Sequence, residues 1–149
     1  MGSPSDPLIT FRRVPERAGI DRSALEEFAQ TLQNRLARGR EFHCRITGDA
    51  ELRSLNCRFR GKDRATDVLS FPGDGSFLGD VAISRHRAEA QARAFGHSVN
   101  QEIQLLMLHG LLHLMGMDHE VDSGHMAVVE KAWRAKLGLP GSLIERAGA

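Results

Sequence analysis

The chain has 149 residues, of which 41% are hydrophobic and 26% charged, and its formal net charge is +1. That length suits one domain with a full core. Near-neutrality excludes a global field of the kind that gathers nucleic acid, so any basic surface must be local. No apolar run approaches the roughly 20 residues that a membrane span requires.

The start, MGSPSDPLITF, carries neither a secretory nor a myristoylation pattern, which leads to the expectation of a cytoplasmic protein. Cys44 and Cys57 share no metal-type spacing and read as reduced, partly buried thiols of a reducing compartment. The expected organisation is a flexible start over residues 1–7, a single domain over 8–140 and a loose tail over 141–149.

Leu8 to Val14 reads as a first strand. Asp21 then looks like a helix N-cap, with Ile20 and Leu25 placed as a hydrophobic staple. Leu25, Phe28, Ala29, Leu32 and Leu36 follow at helical spacing, and Gly39 closes the helix. Phe42, Cys44 and Ile46 alternate with His43, Arg45 and Thr47, as in a half-buried strand, with His43 on the polar face. Gly48-Asp49 opens a short helix in which Leu52, Leu55 and Phe59 are expected to face inward.

Arg58, Arg60, Lys62 and Arg64 then crowd around Gly61, and Thr66 to Phe71 turns into a strand. Such a charge run is often only a solvated loop. Here it leads straight into a strand, where basic groups can meet an anion and arginine can hold phosphate bidentately. It is therefore a candidate substrate-binding segment. Pro72 to Gly75 supplies turn residues and Phe77 to Ile83 a further strand, which together predict a hairpin. Asp80 in that strand is either a carboxylate satisfied by backbone or one that orients a metal-binding histidine.

Ser84 caps a helix running to Phe95 with Gly96 as its stop, and Ser98 with Gln101 forms a capping box for the next. That next helix is apolar almost all round (Val99, Ile103, Leu105, Leu106, Leu111, Leu112), which predicts a buried central helix. A last helix carries Met126, Val129, Trp133 and Leu137 on one face and ends at Gly138-Leu139-Pro140; His125 sits in its first turn. Strands cluster early and helices dominate late. The predicted class is α+β (mixed), a small sheet of about four strands packed with five or so helices.

The stretch HGLLHLMGMDH, His109 to His119, carries the chemistry. On a helix His109 and His113 lie about 40° apart in azimuth and one turn apart in height, so both can address one ion. Gly116 stands where the helix needs a left-handed residue to stop, after which the chain can return His119 to the same point. Three nitrogens with a fourth position open is the arrangement expected of catalytic Zn2+, although imidazole suits other divalent metals too. The spacing equals that of the metzincin proteases, but their general-base glutamate is here Gly110.

RGKDRATDVLSFP (Arg60 to Pro72), LGDVAIS (Leu78 to Ser84) and HGLLHLMGMDH together resemble the bacterial YbeY family, single-strand-specific endoribonucleases of rRNA maturation and ribosome quality control. The resemblance runs from about residue 40 to 138. It implies zinc ligands at His109, His113 and His119 and a functionally important arginine at Arg60. It also implies a small mixed sheet surrounded by helices.

The family's Lys-Pro-Thr reads Arg64-Ala65-Thr66 here, which keeps the charge and loosens the turn. The implied activity is zinc-dependent cleavage of single-stranded RNA in maturation of the 16S rRNA 3′ end, with the ribosome or its proteins as partners. Arg60 would hold the scissile phosphate, with Lys62 and Arg64 on its neighbours. The alternatives are a zinc metallopeptidase, which Gly110 and the basic segment disfavour, and a non-catalytic RNA- or ribosome-binding factor in which zinc only fixes a turn.

Overall fold

The computed structural model describes residues 7–118 and 123–140, which form four strands and five helices. His119, the acidic pair Glu120 and Asp122, the expected flexible residues 1–6 and the expected tail 141–149 lie outside the described residues.

Strand β1 (Ile9–Phe11) is shorter than its sequence pattern. Arg13 takes φ +55°, which no strand continues through. Asp21 caps α1 (Arg22–Arg35) by accepting the Ala24 N–H, as expected of its side chain. Strand β2 (Phe42–Thr47) follows, then α2 (Asp49–Arg60), closed by Gly61 in the left-handed region. Strands β3 (Val68–Pro72) and β4 (Gly79–Ser84) form the expected antiparallel hairpin, with Ser70 opposite Val81.

Ser84 caps α3 (Arg85–Phe95), and Ser98 and Gln101 complete a capping box on α4 (Val99–Leu114). The last helix, α5, spans His125–Leu137. The sheet order is β1-β2-β4-β3; β2 pairs parallel with both β1 and β4, so β3 is an edge strand. This is the mixed α+β architecture that the pattern of elements predicts.

Sheet alternation sends Ile9, Cys44, Ile46, Val81 and Ile83 to one face, where they pack with α1 and α4 in the main core. Helix α4 is buried along most of its length, from Glu102 to Leu114. The opposite face is covered only in part, by α2, through Leu52 on Leu69 and Ala82.

Two expectations fail here. Phe59 is 60% exposed instead of inward, because Asn56 takes the buried position of the last turn of α2. Cys57 on the same helix is exposed, while Cys44 is buried and its thiol is pushed well above the usual range by that burial. Among the described residues no helix is long and apolar enough to cross a membrane.

Candidate metal and anion sites

His109 and His113 project from one stripe of α4, four residues and one turn apart, as the spacing requires. Their Nε2 atoms converge to 3.2 Å, with the rings nearly perpendicular at 76°. Two ring nitrogens this close need a proton or a cation between them. Nitrogens bound tetrahedrally to zinc at about 2.0–2.1 Å stand about 3.3 Å apart, so the pair has the separation that such an ion imposes.

The other nitrogen of His109, Nδ1, is 2.8 Å from Glu130 Oε2 on α5. Both groups are buried, His109 at 8% and Glu130 at 1% exposure. A carboxylate only accepts, so Nδ1–H donates to it, which leaves the lone pair of His109 on Nε2, facing His113. Gly116 takes φ +92° just past α4, the left-handed stop expected of it. Among the described residues the two histidines form a pair, and no group of three side chains of metal-ligating type assembles. His119 lies outside those residues.

The carboxylate on the histidine is therefore Glu130 and not Asp80. Asp80 alternates with core-facing Val81 and points to the opposite face of the sheet, beside His43 and Phe71. A signal for Glu130 was present in the sequence: it falls four residues after Met126, within the apolar stripe of α5. A carboxylate on a core-facing stripe requires a partner. His125, at the start of α5, is exposed.

Gly110 has a structural reason. A Cβ there would stand 2.7 Å from Val81 Cγ1 and 3.2 Å from Ser70 Oγ. Ser70 Oγ donates to the Gly110 carbonyl at 2.9 Å, so α4 lies directly against β3 and β4 at this point. The site residue that a metzincin would use as base is, in this fold, the contact between helix and sheet.

Arg60, Lys62 and Arg64 are exposed and line one cleft of about 500 Å³, together with Arg87 and Gln91 of α3. None of the described histidines lines it. The segment is tied down at both sides: buried Asn56 donates from Nδ2 to the Arg64 carbonyl at 3.0 Å, and Arg53 holds Asp63 through two bonds of 2.8 and 3.2 Å. The hydrogen bond and charge of Arg53 lower the Asp63 carboxyl below its usual range. Arg87, held to Asp49 at 3.3 Å, is a cation of this cleft that sequence reading missed, since it lies on another helix.

Comparison with known proteins adds the family. The family model described as Endoribonuclease YbeY matches residues 14–137. The chain belongs to the YbeY family. Among curated YbeY relatives, the Endoribonuclease YbeY of Solibacter usitatus is 62% identical over 146 residues, covering 98% of each chain. That of Koribacter versatilis is 47% identical over 131 residues, covering 87% of this chain and 86% of its own. A solution structure from Thermotoga maritima is similar with a TM-score of 0.55 at 26% identity, covering 86% of this chain and 93% of that one. The family model thus begins at residue 14, earlier than the motifs alone indicate, and the Solibacter relative matches nearly the whole chain.

Proposed function

We propose that this protein is a zinc-dependent, single-strand-specific endoribonuclease that matures the 3′ end of 16S rRNA and serves ribosome quality control in the cytoplasm. The observation that carries the metal half of this reading is the 3.2 Å approach of His109 and His113 Nε2, backed by a buried carboxylate. The RNA half is supported by membership of a family described as Endoribonuclease YbeY and by the cleft of Arg60, Lys62 and Arg64. Ribosomal RNA, and with it the ribosome or its proteins, is the partner this reading names.

His109, His113 and His119 would hold the ion. Zinc in such a site supplies Lewis-acid chemistry toward a phosphodiester. Glu130 is a positioning residue: its bond to Nδ1 fixes the tautomer and ring plane of His109. Arg60 binds the scissile phosphate and stabilises the charge that develops on its oxygens, while Lys62 and Arg64 hold neighbouring phosphates. No carboxylate stands at position 110 to act as base, which separates this arrangement from a metallopeptidase and leaves the ribose 2′-hydroxyl or water as nucleophile.

Two results are expected. Arg60→Ala retains the fold and stoichiometric zinc while RNA cleavage falls by about 10²- to 10³-fold, the usual cost of one charge-stabilising donor; unchanged cleavage removes Arg60 from the mechanism. Glu130→Gln keeps an acceptor but loses the charge. It weakens zinc about tenfold, at the low end for such partners, measured by competition with a chromophoric chelator. Unaltered affinity would deny it a positioning role. Chemical identification of the new RNA ends tells which group attacks: a 2′,3′-cyclic phosphate means the ribose hydroxyl, and a 5′-phosphate with a free 3′-hydroxyl means water.

A further inference from the structure

The face of the sheet turned away from α4 is only partly roofed by α2, and the remainder is a groove of about 950 Å³. Its lining is more apolar than polar, and its polar groups are Thr10, His43, Arg45 and Asp80 from three adjacent strands. Its wall carries two aromatic rings, Phe59 of α2 and Phe71 of β3, with centroids 5.3 Å apart and planes at 62°. Phe59 is 60% exposed.

A second depression of about 620 Å³ continues the groove, sharing Arg45 and Leu55 with it and adding Arg12, Arg13 and Arg58. The acids here are Asp80 and Glu51, and Glu51 is engaged by Arg45 at 2.6 Å and Arg12 at 3.7 Å. Burial alone would raise the Glu51 carboxyl, but hydrogen bonds from Thr47 and Arg45 and the charges of Arg45 and Arg12 bring it below its usual value. Cations therefore exceed anions along the groove.

We propose that this open face is a docking track for the single-stranded RNA next to the bond to be cut, a reading that rests on the endoribonuclease function above. Bases stack on Phe59 and Phe71, and Arg12, Arg45 and Arg58 meet phosphates. Rings on the wall, hydrogen-bonding groups on the floor and surplus arginine at the rim fit a nucleotide strand.

Chain neighbours link the groove to both candidate sites. Phe59 is followed directly by Arg60 of the basic cleft. Across edge strand β3, Phe71 faces the groove while its neighbour Ser70 bonds to Gly110, the residue after His109.

The test is fluorescence anisotropy with the full-length chain and a short fluorescein-labelled 2′-O-methyl oligoribonucleotide, single-stranded and as a duplex. Phe59→Ala, at an exposed position, is expected to keep the fold by circular dichroism and weaken single-strand binding about tenfold. Phe59→Trp is expected to restore binding and to show indole quenching when bases stack. Arg45→Gln is expected to weaken binding and flatten its salt dependence.

Wild-type affinity in Phe59→Ala, or duplex bound as tightly as single strand, overturns the track and leaves the endoribonuclease reading standing. If the wild-type chain binds no oligonucleotide at all, both fall.

Discussion

His113→Ala is expected to leave the protein folded, free of zinc after dialysis, and no more active on RNA than the metal-stripped wild type. The fold survives because α4 is anchored by buried Ile103, Leu105, Leu106, Met107, Leu108, Leu111 and Leu112, none of which depends on the half-buried imidazole. The metal does not survive, because His109 Nε2 loses the nitrogen that faces it at 3.2 Å. Thermal unfolding makes the point independently of activity. A ligand that binds only the native state stabilises it by about 2.7 kcal/mol at a hundredfold excess over its Kd. Added zinc should therefore raise the Tm of the wild type and leave that of His113→Ala unmoved. A non-catalytic factor in which zinc only fixes the turn at Gly116 predicts otherwise: His113→Ala would lose folded protein, RNA binding would follow the folded fraction, and the wild type would cut nothing.

Gly110→Glu, which would rebuild the metzincin motif, is expected to prevent folding instead of creating a peptidase. Even Gly110→Ala sets two effects against each other. Alanine gains about 1 kcal/mol of helix propensity over glycine. Its Cβ would meet Val81 Cγ1 at 2.7 Å, and Val81 is a stiff, β-branched residue that is 1% exposed in the core and opposite Ser70 on the edge strand. Overpacking of that kind costs about 1–3 kcal/mol, so the net change is a loss of roughly 1 kcal/mol, visible as a lower denaturation midpoint. Glutamate adds the burial of an unpaired carboxylate, several kcal/mol more. A typical domain has only about 5–15 kcal/mol in total. Soluble, zinc-binding Gly110→Glu protein would show that α4 can stand off the sheet, and with it the structural case against a peptidase would lapse.

Local signals were the legible part of this chain. Asp21, Ser84 and the Ser98–Gln101 box cap their helices as their side chains dictate, because capping depends on neighbours within three residues. The β3–β4 hairpin and the buried α4 follow from alternation and all-round apolarity. What depended on packing between distant elements was harder. The helical spacing of Leu52, Leu55 and Phe59 predicts one core-facing stripe, yet α2 covers the sheet only near Leu69 and Ala82, so Phe59 overhangs the open part. The sequence leaves Asp80 open to backbone satisfaction or to a metal-binding histidine; its strand parity turns it to the face away from α4, while Glu130 reaches His109 from a helix 21 residues downstream. The basic segment is legible as a charge cluster, but Arg87, which joins it from α3, has no sequence neighbour in common with it.

The central claim is that this chain cuts single-stranded RNA through a metal held by His109, His113 and His119. Its most direct test is cleavage of one labelled RNA, single-stranded and as duplex, by the untagged full-length protein stripped with chelator and then titrated with zinc. The account predicts no cutting when stripped and recovery that saturates as zinc reaches the protein concentration, on the single strand alone. Zinc-saturated wild-type protein that leaves the single strand intact, or stripped protein that cuts as well as the zinc form, would contradict it.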